Sequence, residues 1–294
     1  MTIEVIDLLF QGRPGCVAAF LVNAPEGPFL IECGPATSRS ALLAALEQRG
    51  LGPSQLRGLL VTHIHLDHSG DAGWWAQQGV PVWVHPLGAP HLLDPSKLLQ
   101  SAGRIYGNQM EVLWGQIVAC PQGTVQPLQP DQPFHIAGLT VTPWDSPGHA
   151  RHHLAYQVGS ALFCGDVAGV RLPLESPQQC GALSVPAPPP EFDREAWLST
   201  IERLRTLEVD TLYLTHFGAV TQPSQHWAQL AQRVEAVAEF VGQRQQLDRD
   251  RLVEEYYAWQ RPLFPDDVTM DRYEKANPLF MSVDGLLRYW KKRS

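Results

Sequence analysis

Cysteine is sparse in this chain. Its five copies, Cys16, Cys33, Cys120, Cys164 and Cys180, are odd in number and show no zinc-type spacing. A disulfide framework is therefore not expected, and a reducing cytoplasm is the default location. No apolar run reaches the roughly 18 residues of a membrane helix. The first residues also lack the basic-then-apolar pattern of a secretory signal, so no membrane association is expected. Positive charge is in short supply, with 22 Lys and Arg against 30 Asp and Glu for a net charge of −8. That balance disfavours a nucleic-acid surface, which needs clustered cations to neutralise phosphates. The one basic cluster, Arg288 to Arg293, lies in the C-terminal tail and reads as a solvated end. No convincing Ser or Cys nucleophile is present either. What remains is the composition of an ordinary globular protein: 294 residues, 44% hydrophobic, enough for one large domain and an appendage.

Against these absences, one stretch is dense. Thr62-His63-Ile64-His65-Leu66-Asp67-His68-Ser69-Gly70 follows the apolar Leu59-Leu60-Val61 and places four metal-binding side chains within six residues. Three imidazoles and a carboxylate do not pack a core, but they are common ligands of zinc, iron and manganese. If the run begins extended, His63 and His65 point the same way, because strand side chains alternate with period two. A turn at Ser69-Gly70, where a helix begins, aims Asp67 and His68 elsewhere. Two differently aimed pairs predict two metals.

Further candidates each follow a strand-like run. Leu139-Thr140-Val141-Thr142 leads to Ser146-Pro147-Gly148-His149, Ala161-Leu162-Phe163-Cys164 to Gly165-Asp166, and Thr211-Leu212-Tyr213-Leu214 to Thr215-His216. Singly, a His after a strand is usually a satisfied surface or core residue. Together with the first cluster they form an ordered set.

This ordered set resembles the metallo-β-lactamase-fold superfamily of metallohydrolases. The resemblance rests on His-x-His-x-Asp-His at 63–68, Pro-Gly-His at 147–149, Gly-Asp at 165–166 and a final His at 216, and covers roughly residues 1–220. It implies an α/β (α+β) fold: a four-layer αββα sandwich with metals at one edge between two mixed sheets. It also implies one metal held by His63, His65 and His149, another by Asp67, His68 and His216, and Asp166 as the bridge. The pattern looks closest to the glyoxalase-II-like branch, in which all seven positions are ligands. Related lactonases carry a Tyr three residues after the bridging Asp. Here Gly169 stands in that place, against classical acyl-homoserine lactonase activity. The segments Asp94-Pro95-Ser96-Lys97-Leu98, Arg104-Ile105-Tyr106-Gly107 and Asp166-Val167-Ala168-Gly169-Val170-Arg171 also resemble bacterial and archaeal superfamily members of undefined substrate.

The chemistry follows from the residues. Five neutral imidazoles and two carboxylates around two divalent ions leave the site net positive. Such a site acidifies water to a pKa of roughly 7, and two metals about 3.5–4 Å apart hold the nucleophile and polarise a carbonyl or phosphoryl oxygen. The remaining positive charge stabilises the oxyanion as it forms. The expected reaction is hydrolysis by metal-bound hydroxide, with Asp67 and Asp166 in the catalytic centre. Two divalent ions are expected, zinc first, with manganese or iron also compatible with His and carboxylate ligands.

The remaining pattern reads as strands at Ile3–Phe10, Val17–Val22, Pro28–Ile31, Val80–Val84, Phe134–Trp144 and His153–Phe163, with helices at Ser38–Gln48 and Ala72–Gln78. The block 94–120 reads as a helical insertion, with Ile105, Met110, Leu113 and Trp114 on its apolar face. Pro186-Ala187-Pro188-Pro189-Pro190 is a stiff connector ahead of an amphipathic helix carrying Trp197, Ile201, Leu204 and Leu207. Residues 1–220 are the expected catalytic domain and 221–294 a C-terminal helical extension. In the extension Trp227, Leu230, Val234, Val237 and Val241 recur at helical spacing, a stripe that more often marks core than a cofactor site. It is expected to pack on the sandwich and to supply pocket or homodimer contacts.

Tyr106, Trp114 and Arg171 are candidate pocket residues, Arg171 through its bidentate fork. The alternative is that the aromatics are core and Arg171 makes a surface ion pair. His85, His91, His135, His152, His153 and His226 fall outside the ligand pattern, although His152 and His153 can orient ligands, as can Glu32 in the Glu32-Cys33-Gly34 turn. The leading expectation is a dinuclear hydrolase of a small-molecule thioester, ester or lactone. The lack of an evident proton donor favours thioesters, whose thiolate leaves without acid help. The alternatives are a mononuclear iron persulfide dioxygenase, using two His and the Asp of the same fold, and a phosphodiesterase.

Overall fold

The computed structural model describes residues 1–174 and 181–293. Cys180 lies outside the described residues, and the other four cysteines are buried thiols. Two six-stranded sheets form the centre. The first has the order β1 (Thr2–Asp7), β2 (Ala18–Asn23), β3 (Phe29–Ile31), β4 (Leu59–Leu60), β5 (Val82–Val84), β6 (Val125–Pro127). The second runs β12 (Gly218–Val220), β11 (Thr211–Leu214), β10 (Ala161–Gly165), β9 (Leu154–Val158), β8 (Leu139–Asp145), β7 (Phe134–Ile136). Both are mixed. Pairs β3–β4, β4–β5, β5–β6 and β10–β11 are parallel, the others antiparallel.

Parallel neighbours need a crossover rather than a tight turn, and here every such crossover carries helix. Arg39–Glu47 joins β3 to β4, Leu66–Ser69 and Ala72–Gln77 join β4 to β5, and Arg194–Leu204 lies between β10 and β11. Burial defines the layers. On β2, Ala18, Phe20 and Val22 meet Val141, Tyr156 and Phe163 of the second sheet, while Ala19 and Leu21 face the opposite core with Leu42, Leu46 and Trp75. A strand buried on both faces reads as a continuous apolar run, as Ala18-Ala19-Phe20-Leu21-Val22 does. On the far side, Leu162, Leu212 and Leu214 pack against Trp197, Ile201 and the C-terminal helices Pro223–Gly242, Arg249–Gln260 and Leu279–Lys291. The result is the expected αββα sandwich with a helical C-terminal region.

The structure corrects several boundaries. Residues 134–144 are a hairpin rather than one strand: Ala137 and Gly138 adopt φ of +50° and +78° and form its two-residue turn. Residues 153–163 likewise fold back at Gly159-Ser160. In the 94–120 insertion, helix Ser96–Tyr106 and helix Met110–Trp114 are followed by chain in neither helix nor strand, because Gly115 at φ +68° ends the helical run. The stripe Trp227, Leu230, Val234, Val237, Val241 is core.

Candidate metal centre

All seven residues singled out from the sequence follow the ends of strands or sit in the loops between them. This is the position at which open α/β sheets present ligand sites. After β4 the chain bends at Thr62, His65 is extended (φ −64°, ψ 150°), and helix Leu66–Ser69 then puts Asp67 and His68 in its single turn. The turn thus begins three residues before the expected Ser69. His149 lies in the β8–β9 connection, Asp166 directly after β10 and His216 two residues after β11.

The side chains converge in overlapping groups: His63, His65 and His149; His63, His68 and Asp166; and Asp67, His68 and His216. Within each group the ligand atoms lie within 4.8 Å of one another. His65 Nδ1 is 2.9 Å from both His63 Nε2 and His149 Nε2. On the other side His216 Nε2 is 3.2 Å from Asp67 Oδ2. Asp166 stands between the two sides: Oδ2 is 3.4 Å from His149, whereas Oδ1 is 3.2 Å from His68 and 3.4 Å from His216.

Neighbouring groups fix which nitrogen of each ring faces this space. His149 Nδ1 donates to the Pro186 carbonyl (2.8 Å) and His216 Nδ1 to the Cys16 carbonyl (2.7 Å). His68 Nδ1 donates to Glu32 Oε1 (2.9 Å). The Thr62 hydroxyl donates to the same oxygen (2.5 Å), leaving its own oxygen to accept from His63 Nδ1 at 3.0 Å. With each Nδ1 so engaged, the Nε2 atoms of His68, His149 and His216 face the carboxylates and that of His63 faces His65, an arrangement typical of metal-ligating histidines. Three buried atoms there, His68 Nε2, His216 Nε2 and Asp166 Oδ1, have no hydrogen-bond partner. A buried polar atom without a partner is costly, and a divalent cation satisfies all three. The donor set, five imidazoles and two carboxylates, fits zinc, iron or manganese.

The electrostatics point the same way. Burial disfavours charge on the rings and holds His63 and His149 below their ordinary pKa and His65 down to about 3. Burial opposes His68 and His216 too, but the Asp166 and Asp67 carboxylates outweigh it and raise both, His68 strongly. The carboxylates are likewise penalised by burial, yet His68 and His216 hold Asp67 at about 2 and Asp166 well below the usual range. This side of the cluster demands positive charge, as protons or as metal that displaces them.

The centre opens into a cavity of about 650 Å³, within the range of small-molecule sites. Tyr106 and Trp114 line it, in edge contact at 5.1 Å. Arg171 is not among the described lining residues; its Nη2 donates to Gln229 of helix Pro223–Gly242. His153 receives the Asp166 N–H on Nε2 (3.2 Å) and so positions that residue, while His152 pairs with Glu191 at 3.1 Å in the cavity wall. His226 donates to the Ala168 carbonyl and His85 lies 3.5 Å from Asp145, both structural contacts. Sequence reasoning missed Glu191 and Lys97, each an isolated charge whose place in the wall depends on packing between distant elements.

Comparison with known proteins agrees with this geometry. The profile of the metallo-beta-lactamase superfamily matches residues 12–216. The metallo-beta-lactamase fold-containing protein ST1585 of Sulfurisphaera tokodaii is 26% identical over 167 residues, 55% of this chain and 61% of that protein. A hydroxyacylglutathione hydrolase of Dechloromonas aromatica is 29% identical over 147 residues, 50% of this chain and 42% of the enzyme. The matched segments thus span about half of these relatives. Among solved structures, ST1585 from Sulfolobus tokodaii superposes with a TM-score of 0.68 at 20% identity, covering 97% of each chain. TTHA1623 in a di-iron-bound form gives a TM-score of 0.50 at 25% identity, covering 71% of this chain and 91% of that one. The chain belongs to the metallo-beta-lactamase superfamily. Members of this superfamily are largely metal-dependent hydrolases, and this chain carries a His/Asp cluster suited to divalent metal ions.

Proposed function

We propose that the protein is a dinuclear metal-dependent hydrolase of a small-molecule thioester, ester or lactone. The observation that carries this reading is Asp166, whose two oxygens face different ligand groups, with Oδ1 and the Nε2 atoms of His68 and His216 left without partners. His63, His65 and His149 would hold one ion, Asp67, His68 and His216 the other, and Asp166 would join them. When bound, the pair of ions supplies Lewis acidity and a nucleophile at neutral pH. The chain's own part is positioning. Glu32, Thr62, Pro186 and Cys16 hold four rings in the ligating tautomer. Tyr106 keeps its phenol proton, because burial and then the Asp67 carboxylate push its pKa up. That proton goes to Met281 Sδ at 3.2 Å, a weak acceptor that a substrate oxygen readily replaces.

A relative named hydroxyacylglutathione hydrolase favours an acyl substrate, and a thiolate leaving group needs no strong acid beside it. The di-iron form of TTHA1623 favours two ions and keeps iron beside zinc as the metal. We further assign 1–220 as the catalytic unit and 221–294 as an extension that completes the cavity, in a cytoplasmic enzyme.

Metal content of untreated protein tests the reading, with His63→Ala as control. About two ions per chain, reduced in the variant, together with turnover of a thioester or lactone panel without oxygen uptake, is the expected result. One iron with oxygen consumption on persulfide would replace this reading with the dioxygenase, and turnover of phosphodiesters alone with the phosphodiesterase.

A further inference from the structure

The chain contains only four lysines, Lys97, Lys275, Lys291 and Lys292. Two of them, Lys97 and Lys275, line the cavity over the metal centre. The other two lie in the last turn of the C-terminal helix and just beyond it.

The carboxylates of the same cavity are already engaged. Asp67 and Asp166 belong to the metal centre, and Glu191 pairs with His152 at 3.1 Å. Glu274 accepts from the Tyr257 hydroxyl and the Leu279 N–H. Asp94, before Lys97 in sequence, turns Oδ1 to Ser96 N and Oγ at 3.1 and 2.6 Å. Among the described residues neither Lys97 nor Lys275 is in an ion pair. The cavity therefore presents two uncommitted cations to whatever enters it.

The placement of Lys97 adds a length. Helix Ser96–Tyr106 turns Lys97, Leu98, Ser101, Ala102, Ile105 and Tyr106 to the cavity, a spacing that keeps one face along its whole length. Tyr106, at the inner end, is close enough to Asp67 for that carboxylate to raise its pKa. Lys97 is nine residues away on the same face, which at a rise of ~1.5 Å per residue is about 13 Å. The wall between them is apolar except for Ser101. Phe280 and Met281 of the C-terminal region, which carries Lys275, add further apolar wall.

We propose that this cavity selects an elongated amphiphilic substrate: a hydrolysable acyl group at the metals, an apolar stretch along helix Ser96–Tyr106, and an anionic group held by Lys97 with Lys275. The substrate class rests on the hydrolase reading above; the anion recognition does not, since it concerns binding. A carboxylate and a phosphate share the required charge, and the test separates them.

The experiment is calorimetric titration of metal-loaded protein with non-hydrolysable thioethers of graded chain length. Each is made in three forms, ending in a carboxylate, a phosphate or an uncharged methyl ether. The charged form is expected to bind about tenfold tighter than its methyl-ether twin, with the largest ratio where the extended chain spans about 13 Å. Lys97→Met should erase that ratio, Lys97→Arg should retain most of it, and Lys275→Met should reduce it. Whichever charged form shows the larger ratio identifies the headgroup. Equal affinity of charged and uncharged twins in the wild-type protein, or a ratio untouched by Lys97→Met, overturns the proposal. Hydrolysis of the matching thioesters is read separately. A retained binding ratio with no turnover would sink the hydrolase reading and leave the anion site standing.

Discussion

Glu32 is fully buried, and four donors converge on its carboxylate: the Thr62 hydroxyl and N–H, His68 Nδ1 and the Thr215 hydroxyl. Glu32→Ala removes both acceptor oxygens, including the Oε1 that receives His68 Nδ1, so His68 loses its orientation. Metal affinity is expected to fall about 10–100-fold, the usual effect of losing such a partner. Competition with a chelator measures it, and an unchanged affinity would show that His68 is held by something else. Protons and metal compete at the same atoms. Because His68 and His216 are raised above their ordinary pKa in the metal-free site, they remain protonated to higher pH than free imidazole. Metal affinity should therefore keep rising with pH above about 6.5. Calorimetry at pH 7 in buffers of different ionisation heat should detect protons released on binding; no release would contradict this electrostatic account. The same sign holds for stability of the metal-free protein. The raised pKa values contribute stability present below pH 6.5, and it is lost as pH climbs through the folded values. At this scale the clustered His and Asp residues were legible because four sit within six residues and the rest follow apolar runs. Lys97 was not, since nothing in its neighbours forecasts which wall its helix forms.

Helix Arg194–Leu204 braces two of the ligand loops at once. Its Thr200 hydroxyl donates to the Pro147 carbonyl (2.7 Å), Trp197 Nε1 donates to the Val167 carbonyl (2.8 Å), and the preceding Asp193 N–H donates to Gly148 (2.8 Å). Gly148, at φ +140°, leaves no room for a side chain: a Cβ would stand 2.4 Å from Trp197 Cα. Gly148→Ala must push the loop off the helix and carry His149 with it. The expected loss is about 3 kcal/mol of stability, read by denaturant unfolding, together with loss of metal. A variant that keeps full metal content would show that the loop and helix part without moving the ring. The sequence announced this helix through Trp197, Ile201 and Leu204, and Pro-Gly-His through its motif, but not that one presses on the other. Elements were misjudged where strands are short. Ala137-Gly138 and Gly159-Ser160 each carry a turn glycine, yet the apolar runs on either side are so short that each hairpin read as one strand, and β6 and β12 have too few residues to show a period.

Across the whole molecule the C-terminal helices share one core with the second sheet, through Trp227, Leu230, Val234, Leu252 and Leu286 against Leu212 and Leu214. Polar ties reinforce it: His226 donates to Ala168, and Tyr273 donates to Ala182 while accepting from Leu172. A chain ending at residue 220 would expose that core face. It is expected to aggregate or bind a hydrophobic dye strongly, as judged by light scattering and dye fluorescence, and a well-folded monomer would refute this. The stripe was legible from its periodicity, but the sheet it covers was not, because periodicity names a face and never its partner.

The His216 ring is anchored on the backbone of Cys16, 200 residues earlier. A chain emerging from the ribosome can offer the dense 63–68 cluster to passing ions long before residue 216 exists, yet the Asp67, His68 and His216 group proposed for the second ion is incomplete until the two ends of the fold have met. Tight retention of that second ion would in this sense be a receipt for finished folding, and an ion captured there early would remain free to exchange for another until then.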